Sequence, residues 1–141
     1  MKYKEKHKDL FSVDFKKYTP AHCISSDCKM GAGIAVPMRK KFKLGGLENS
    51  IEPIFRKSPI CIYYNGVYNL TTKKKYWHKP TYYSMGIALN SMRIHAEQHK
   101  IKCIAMPKIG SGLDQLSWPK VREIIKIVFG DTDIEILVCY K

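Results

Sequence analysis

The run ICIYYNGVYNLTT, residues 60–72, decides the fold. Ile60 to Tyr64 and Val67 to Thr72 are rich in β-branched and aromatic residues, and Asn65-Gly66 between them is the pair that a type I′ turn demands, because both turn positions need positive φ. The run therefore reads as a β-hairpin. Downstream, from Pro80 to about His99, Tyr82, Met85, Leu89, Met92 and Ala96 recur at intervals of three and four, one face of a helix that begins just after Pro80. That spacing makes the methionines core residues. Cys103 to Met106 is a short apolar strand ended by Pro107. Ser117 is placed as the N-cap of a helix that turns Trp118, Val121, Ile124, Ile125 and Val128 inward, and Ile134 to Tyr140 is the last strand. Upstream, Val13 to Ile24 is a turn and strand region, Ser25 to Gly33 a loop, and Ile34 to Phe42 a helix. Lys43 to Pro59 reads as a short linker-like connection. The order is strand, loop, helix, then hairpin, helix, strand, helix, strand. Such alternation implies an α/β chain: a mixed, mostly parallel central sheet covered on both faces, in three α/β/α layers. Ligands of such sheets sit outside the carboxyl ends of the strands.

The length of 141 residues fits one domain spanning residues 1–141. Lysine and arginine exceed aspartate and glutamate by 25 − 12 = +13, so the expected ligand is anionic. The excess is uneven: residues 1–90 carry 17 − 6 = +11 and residues 91–141 carry 8 − 6 = +2. No acidic residue lies between Glu52 and Glu97, where Arg56, Lys57, Lys73, Lys74, Lys75, Lys79 and Arg93 accumulate. That stretch implies a weak electrostatic contact with nucleic acid. No apolar run approaches the roughly 18 residues of a membrane span, and the start, MKYKEKHKDL, is charged where a signal peptide is apolar. The expectation is an intracellular monomer with no membrane partner. Cys23, Cys28, Cys61, Cys103 and Cys139 include no Cys-x-x-Cys pair and no matching histidine pair. They read as small hydrophobes in a reducing compartment, with neither a metal site nor a disulfide framework.

Two loops share one design, in which a strand is followed by glycine-rich residues and then by a helix. They are Lys29-Met30-Gly31-Ala32-Gly33-Ile34-Ala35 and Lys108-Ile109-Gly110-Ser111-Gly112-Leu113-Asp114. Glycine lets backbone N–H groups turn together toward a phosphate, helped by the positive end of the following helix. Two such loops imply a pyrophosphate held between them. Neither is a Walker loop nor a full dinucleotide fingerprint, which disfavours an ATPase and a nicotinamide dehydrogenase, and no cofactor is expected.

Three segments carry a resemblance. They are Ala21-His22-Cys23-Ile24-Ser25-x-Asp27-Cys28-x-Met30-Gly31-Ala32-Gly33-Ile34-Ala35, then Thr72-Lys73-Lys74 followed by His78-Lys79-Pro80-Thr81-Tyr82, and Pro107-Lys108-Ile109-Gly110-x-Gly112-Leu113-Asp114. In this order and spacing the chain resembles the macrodomain superfamily, and within it the terminal ADP-ribose protein glycohydrolase branch, which includes antitoxins that remove ADP-ribose from DNA. The resemblance implies a three-layer α/β/α macrodomain and an ADP-ribosyl hydrolase acting on ADP-ribosylated protein or nucleic acid, or on O-acyl-ADP-ribose. It places Asp9 and Leu10 at the adenine, Ser25 near the distal ribose, and Gly31, Ala32, Gly33, Ile34 and Ala35 with Lys108, Ile109, Gly110, Ser111, Gly112 and Leu113 around the pyrophosphate and distal ribose. Lys73 is implied as the nucleophile that attacks the anomeric carbon of the distal ribose, and Asp114 as its proton partner. An amine attacks only when neutral, a form that desolvation and nearby cations favour and a nearby carboxylate opposes. Lys8 stands where the family has a glycine before the adenine-side aspartate.

Each of these residues also has an ordinary role open to it. Lys73 belongs to a three-lysine run of the kind that is usually solvated, Asp9 and Asp114 are good turn residues, and His22 and His78 suit structural positions. Two further functions therefore stand beside hydrolysis. One is a non-catalytic reader of ADP-ribose or poly-ADP-ribose, which binds but releases no product. The other is a basic nucleic-acid-binding domain using residues 53–96, whose affinity would fall steeply with salt.

Overall fold

The computed structural model describes residues 1–50 and 59–141. Six strands form one sheet: β1 (Lys2–His7), β2 (Thr19–Ser25), β3 (Ile60–Tyr64), β4 (Val67–Lys73), β5 (Cys103–Met106) and β6 (Glu135–Tyr140). Their order across the sheet is β1-β6-β5-β2-β4-β3, parallel throughout except for the antiparallel β3–β4 hairpin at one edge. Asn65 and Gly66 hold φ of 49° and 75°, the positive values that the hairpin turn needs.

Three helices complete the layers: α1 (Ala35–Phe42), α2 (Tyr82–Gln98) and α3 (Trp118–Phe129). The sheet divides the core in two because strand side chains alternate between faces. Ile104, Met106, Ile136 and Val138 join Met85, Leu89 and Met92 of α2 and Val121, Ile125 and Phe129 of α3 on one face. Ala105, Leu137 and Cys139, their neighbours along β5 and β6, join Met38 of α1 with Leu44 and Leu47 on the other. The helix after Pro80 is capped by Thr81, which exchanges hydrogen bonds with Ser84 in a reciprocal capping box. Ser117 takes the N-cap backbone position of α3 without a side-chain cap bond, and its N–H donates instead to the Tyr82 hydroxyl at 2.9 Å.

Two elements differ from the sequence expectation. Residues 2–7, read only as a charged start, form the edge strand β1. Its lysines point outward and blunt the sheet edge, while Glu5 accepts from Arg122 Nε at 2.7 Å and from Trp118 Nε1 at 2.8 Å, tying β1 to α3. The expected linker is also partly built: Leu44–Ser50 form a 3-10 helix whose Leu44 and Leu47 are fully buried. Its remainder, residues 51–58 with Arg56 and Lys57, lies outside the described residues. Among the described residues no helix is long and apolar enough to cross a membrane.

Candidate active site

The three central strands β5, β2 and β4 end side by side, and a cavity of about 1160 Å³ opens beyond their carboxyl ends. Its floor is the last turn of β2, Cys23 to Ser25, and Lys73 at the tip of β4. Its walls are the two glycine loops: Met30 to Ala35 leading into α1, and Pro107 to Gln115 following β5. Both loops are thus fixed at one sheet end by parallel neighbours, as the doubly covered sheet requires.

Within this frame Lys73 Nζ lies 2.7 Å from Asp114 Oδ1, with both side chains largely withdrawn from solvent. β2 and β4 shift register between Ile24 and Ser25, so that Ser25 pairs with Lys73, and the Ser26 N–H donates to the Lys73 carbonyl at 2.8 Å. The backbone around the lysine is therefore held from the β2 side, and its side chain from the β5 side by Asp114. Cys23 lies beside this pair. Burial pushes its thiol well above the ordinary range, and the Asp114 charge adds to that, so it remains protonated.

The loops bring donors to the cavity. Among the described residues, the N–H groups of Gly31, Ala32 and Gly33 and of Gly110, Gly112 and Leu113 have no acceptor. Unused N–H groups on residues beside a cavity are donors available to an anion. Gly110 is required by its backbone, and a side chain there would also press on the ends of two neighbouring side chains. Its φ is 73°, and a Cβ there would lie 2.7 Å from Met85 Cε and 3.0 Å from Leu116 Cδ1. Across the cavity, a Cβ on Gly33 would lie 3.2 Å from Leu113 Cδ1, so the two loops approach each other through the Leu113 side chain. Four cations, Lys29, Lys73, Lys79 and Lys108, line the cavity against one carboxylate, Asp114. Lys79 also donates to the Leu113 carbonyl, and Lys108 stands over the Tyr140 ring at 4.3 Å. Such a lining favours a doubly charged ligand.

Of the residues singled out from sequence, the cavity brings together Ser25, Gly31, Ala32, Gly33, Ile34, Ala35, Lys73, Lys108, Ile109, Gly110, Gly112, Leu113 and Asp114. Ser111 turns away and donates to the Lys108 carbonyl at 2.7 Å. Asp9 and Leu10 also stand off the cavity wall. Leu10 is buried in the core, while Asp9 accepts from the Phe11 N–H at 3.0 Å and pairs with Lys141 at 3.0 Å. Those two contacts hold the Asp9 carboxyl below the ordinary range. His22 is fully buried, 2.6 Å from Asn69 Oδ1, and burial depresses its imidazole to about 4. It is a neutral core histidine.

One organising residue had no role assigned from sequence. Asp27 accepts from the Ser25 hydroxyl, from the Lys29 N–H at 3.3 Å and from the Tyr76 N–H at 3.0 Å. It thereby joins the loop after β2 to the loop after β4. Burial works against its charge, but these three donors outweigh it and keep the carboxyl below the ordinary range. The Ser25-x-Asp27-x-Lys29 spacing is the local signal, since aspartate commonly accepts from the N–H two residues on.

No protein-family model matches the chain. The human protein named ADP-ribose glycohydrolase OARD1 is 41% identical over 133 residues, 92% of this chain and 86% of its own length. The macrodomain of Mycobacterium tuberculosis DarG superposes with a TM-score of 0.82 at 16% identity, covering 99% of this chain and 97% of that one. Thermosipho africanus DarTG, solved in complex with ADP-ribose, superposes with a TM-score of 0.75 at 15% identity over 98% of this chain and 41% of that one. With its sequence shared so extensively and its fold matched end to end, the chain belongs to the macrodomain family.

Proposed function

We propose that the chain is an ADP-ribosyl hydrolase that binds ADP-ribose in the cavity and cleaves the bond at the anomeric carbon of the distal ribose. The observation that carries this reading is the Lys73–Asp114 pair, 2.7 Å apart, on the floor of a cavity whose walls offer two sets of unused N–H groups. The name of the human relative, ADP-ribose glycohydrolase, agrees with it.

The donor loops and the surrounding lysines take the pyrophosphate, which leaves the distal ribose over the β2 and β4 tips beside Ser25 and Lys73. Shifting one proton from Lys73 Nζ to Asp114 Oδ1 turns the ion pair into a neutral amine and a neutral acid. The amine nitrogen then attacks the anomeric carbon, and the linked group departs with its bonding electrons, as a carboxylate where the link is an ester. The nitrogen gives one proton to solvent and a second to the ring oxygen as the bond from that oxygen to the anomeric carbon breaks, so the sugar opens to an imine with a free hydroxyl. Water adds to the imine carbon, and Asp114 returns a proton to the departing nitrogen, so free ADP-ribose leaves and Lys73 is regenerated. The bonds open to this chemistry join ADP-ribose to glutamate or aspartate side chains, to a nucleic-acid base, or to O-acyl groups.

Mass spectrometry of an ADP-ribosylated glutamate peptide and an ADP-ribosylated oligonucleotide, each incubated with wild type and with Lys73→Ala, tests the reading. Release by wild type alone, with ADP-ribose still bound by the variant, is expected. Full release by the variant would overturn the lysine mechanism. Binding without release from either substrate would make the protein a reader.

A further inference from the structure

The segment His78-Lys79-Pro80-Thr81 joins the loop after β4 to α2, and hydrolysis through Lys73 and Asp114 gives Lys79 no task of its own. Pro80 is buried and Thr81 caps α2, so the Lys79 backbone is anchored at the start of a helix while its side chain reaches the cavity. An ammonium that shares a cavity with a carboxylate is drawn to pair with it. Lys79 does otherwise. Among the described residues it forms no ion pair, and its Nζ donates instead to the Leu113 carbonyl, the oxygen of the peptide that leads into Asp114. The Asp114 carboxylate is thereby left to Lys73 at 2.7 Å.

The loop that carries Asp114 needs a hold of this kind. From Pro107 to Leu116 it has no helix or strand, and its internal bonds pass around the Leu113–Asp114 peptide. The Ile109 N–H returns to the Pro107 carbonyl at 2.8 Å, the Gln115 N–H to the Gly112 carbonyl at 3.1 Å and the Leu116 N–H to the Gly110 carbonyl at 2.7 Å, and none of them engages the Leu113 carbonyl or the Asp114 N–H. Just past the aspartate Gln115 holds φ of 61°, so the chain turns sharply there. Leu113 is fixed at two points. Lys79 holds its carbonyl, and its side chain lies over Gly33, where an added Cβ would come within 3.2 Å of Cδ1. The aspartate side chain one residue on has only two torsions of its own, so its direction follows from that peptide.

We propose that Lys79 is a positioning residue for the hydrolysis: by holding the Leu113 carbonyl from the start of α2, it aims the Asp114 carboxylate at Lys73. The inference rests on the reading of Lys73 and Asp114 as nucleophile and proton partner, and it names the residue that sets their separation. With the charge-assisted bond removed, the Leu113–Asp114 peptide is free to rotate, and the proton that must pass from Lys73 to Asp114 has farther to travel.

The test compares wild type, Lys79→Met and Lys79→Arg in steady-state release of ADP-ribose from an ADP-ribosylated glutamate peptide, with calorimetric ADP-ribose binding and amide hydrogen exchange measured beside it. Methionine keeps the length of the stem and loses the donor, whereas arginine keeps a charged donor. Lys79→Met should lose at least about tenfold in kcat with KM little changed. Its affinity for ADP-ribose should stay within about fivefold of wild type, the most that one exposed charge contributes. Lys79→Arg should recover most of the lost kcat. In Lys79→Met, exchange should quicken at the Gln115 and Leu116 amides and stay unchanged along α2. Unchanged kcat in Lys79→Met, a loss confined to ADP-ribose affinity as a phosphate contact would give, an equal loss in Lys79→Arg, or unchanged exchange at Gln115 and Leu116 would each overturn the role of Lys79. No release by wild type would overturn the hydrolase reading and this inference with it, whereas release by wild type and by Lys79→Met alike would overturn the inference alone.

Discussion

Replacing His22 with glutamine should change how stability depends on pH, with little effect near neutrality. Asn69 Nδ2 donates to the Ile62 and Val67 carbonyls, each at 3.1 Å, which turns Oδ1 toward His22 to accept from Nε2–H. The other ring nitrogen, Nδ1, has no partner among the described residues, so protonating it would bury a charge with nothing to receive it. Burial accordingly depresses the folded imidazole from its ordinary 6.5 to about 4. The unfolded chain takes up that proton as the pH falls below the ordinary value, and the folded chain refuses it until the depressed one. The stabilising contribution is therefore complete above the unfolded value and is lost progressively as the pH falls through the folded one. The gap corresponds to roughly 3 kcal/mol in full, of which about 2 kcal/mol is lost between about pH 7 and pH 5. Urea unfolding of wild type and His22→Gln at these two pH values measures the difference. The wild type should lose about 2 kcal/mol more than the variant over that interval. Equal pH dependence in the two proteins would refute the assignment of His22 as a buried neutral histidine.

Other perturbations test how the site is held. Gly110→Ala should destabilise by about 1–3 kcal/mol, because φ of 73° disfavours a side chain and the new Cβ would press Met85 Cε and Leu116 Cδ1. Gly112→Ala, where an added Cβ meets nothing within 4 Å, should stay within about 0.5 kcal/mol in stability while weakening ADP-ribose binding, and thermal melts with calorimetric titration separate the two effects. Asp27→Ala should cost about 1.5–3 kcal/mol, since its charge receives two backbone N–H groups and the Ser25 hydroxyl. Hydrogen exchange should then quicken at the Tyr76 amide and leave the β4 amides protected; uniform protection would refute the link between the loops.

The parts of the fold legible from sequence were those whose pattern is local. Asn65-Gly66 announces a turn by its φ requirement, and the spacing from Tyr82 to Ala96 announces a helix face. The edge strand β1 escaped because nearly every second residue is a solvent-facing lysine, so only Tyr3 and Glu5 look inward, and one of those is charged. Leu44 and Leu47 escaped for a related reason. A short 3-10 segment with Gly45 and Gly46 inside it has no period to reveal it, and burial comes from the sheet face above it.

The site divides along the same line. The two glycine loops stand out in the sequence because glycine spacing is a backbone property, and the structure places them on one cavity. The Lys73–Asp114 pair joins residues 41 positions apart, and composition alone gives no reason to couple one lysine of three to a turn aspartate. That pairing came into view through family resemblance. The resemblance groups Asp9 and Leu10 with the ligand too; in the structure Asp9 accepts from the Phe11 N–H and pairs with Lys141, and Leu10 is buried. Asp27 went unassigned because its decisive partner, the Tyr76 N–H, lies in a loop that only the β2–β4 pairing brings near.

The measurement closest to the central claim is reductive trapping. Wild-type protein incubated with an ADP-ribosylated glutamate peptide in the presence of borohydride should gain the mass of a reduced ADP-ribosyl adduct, and peptide mapping should place it on Lys73. Release of ADP-ribose with no trapped adduct, or an adduct on Lys74 or Lys75 instead, would contradict the account.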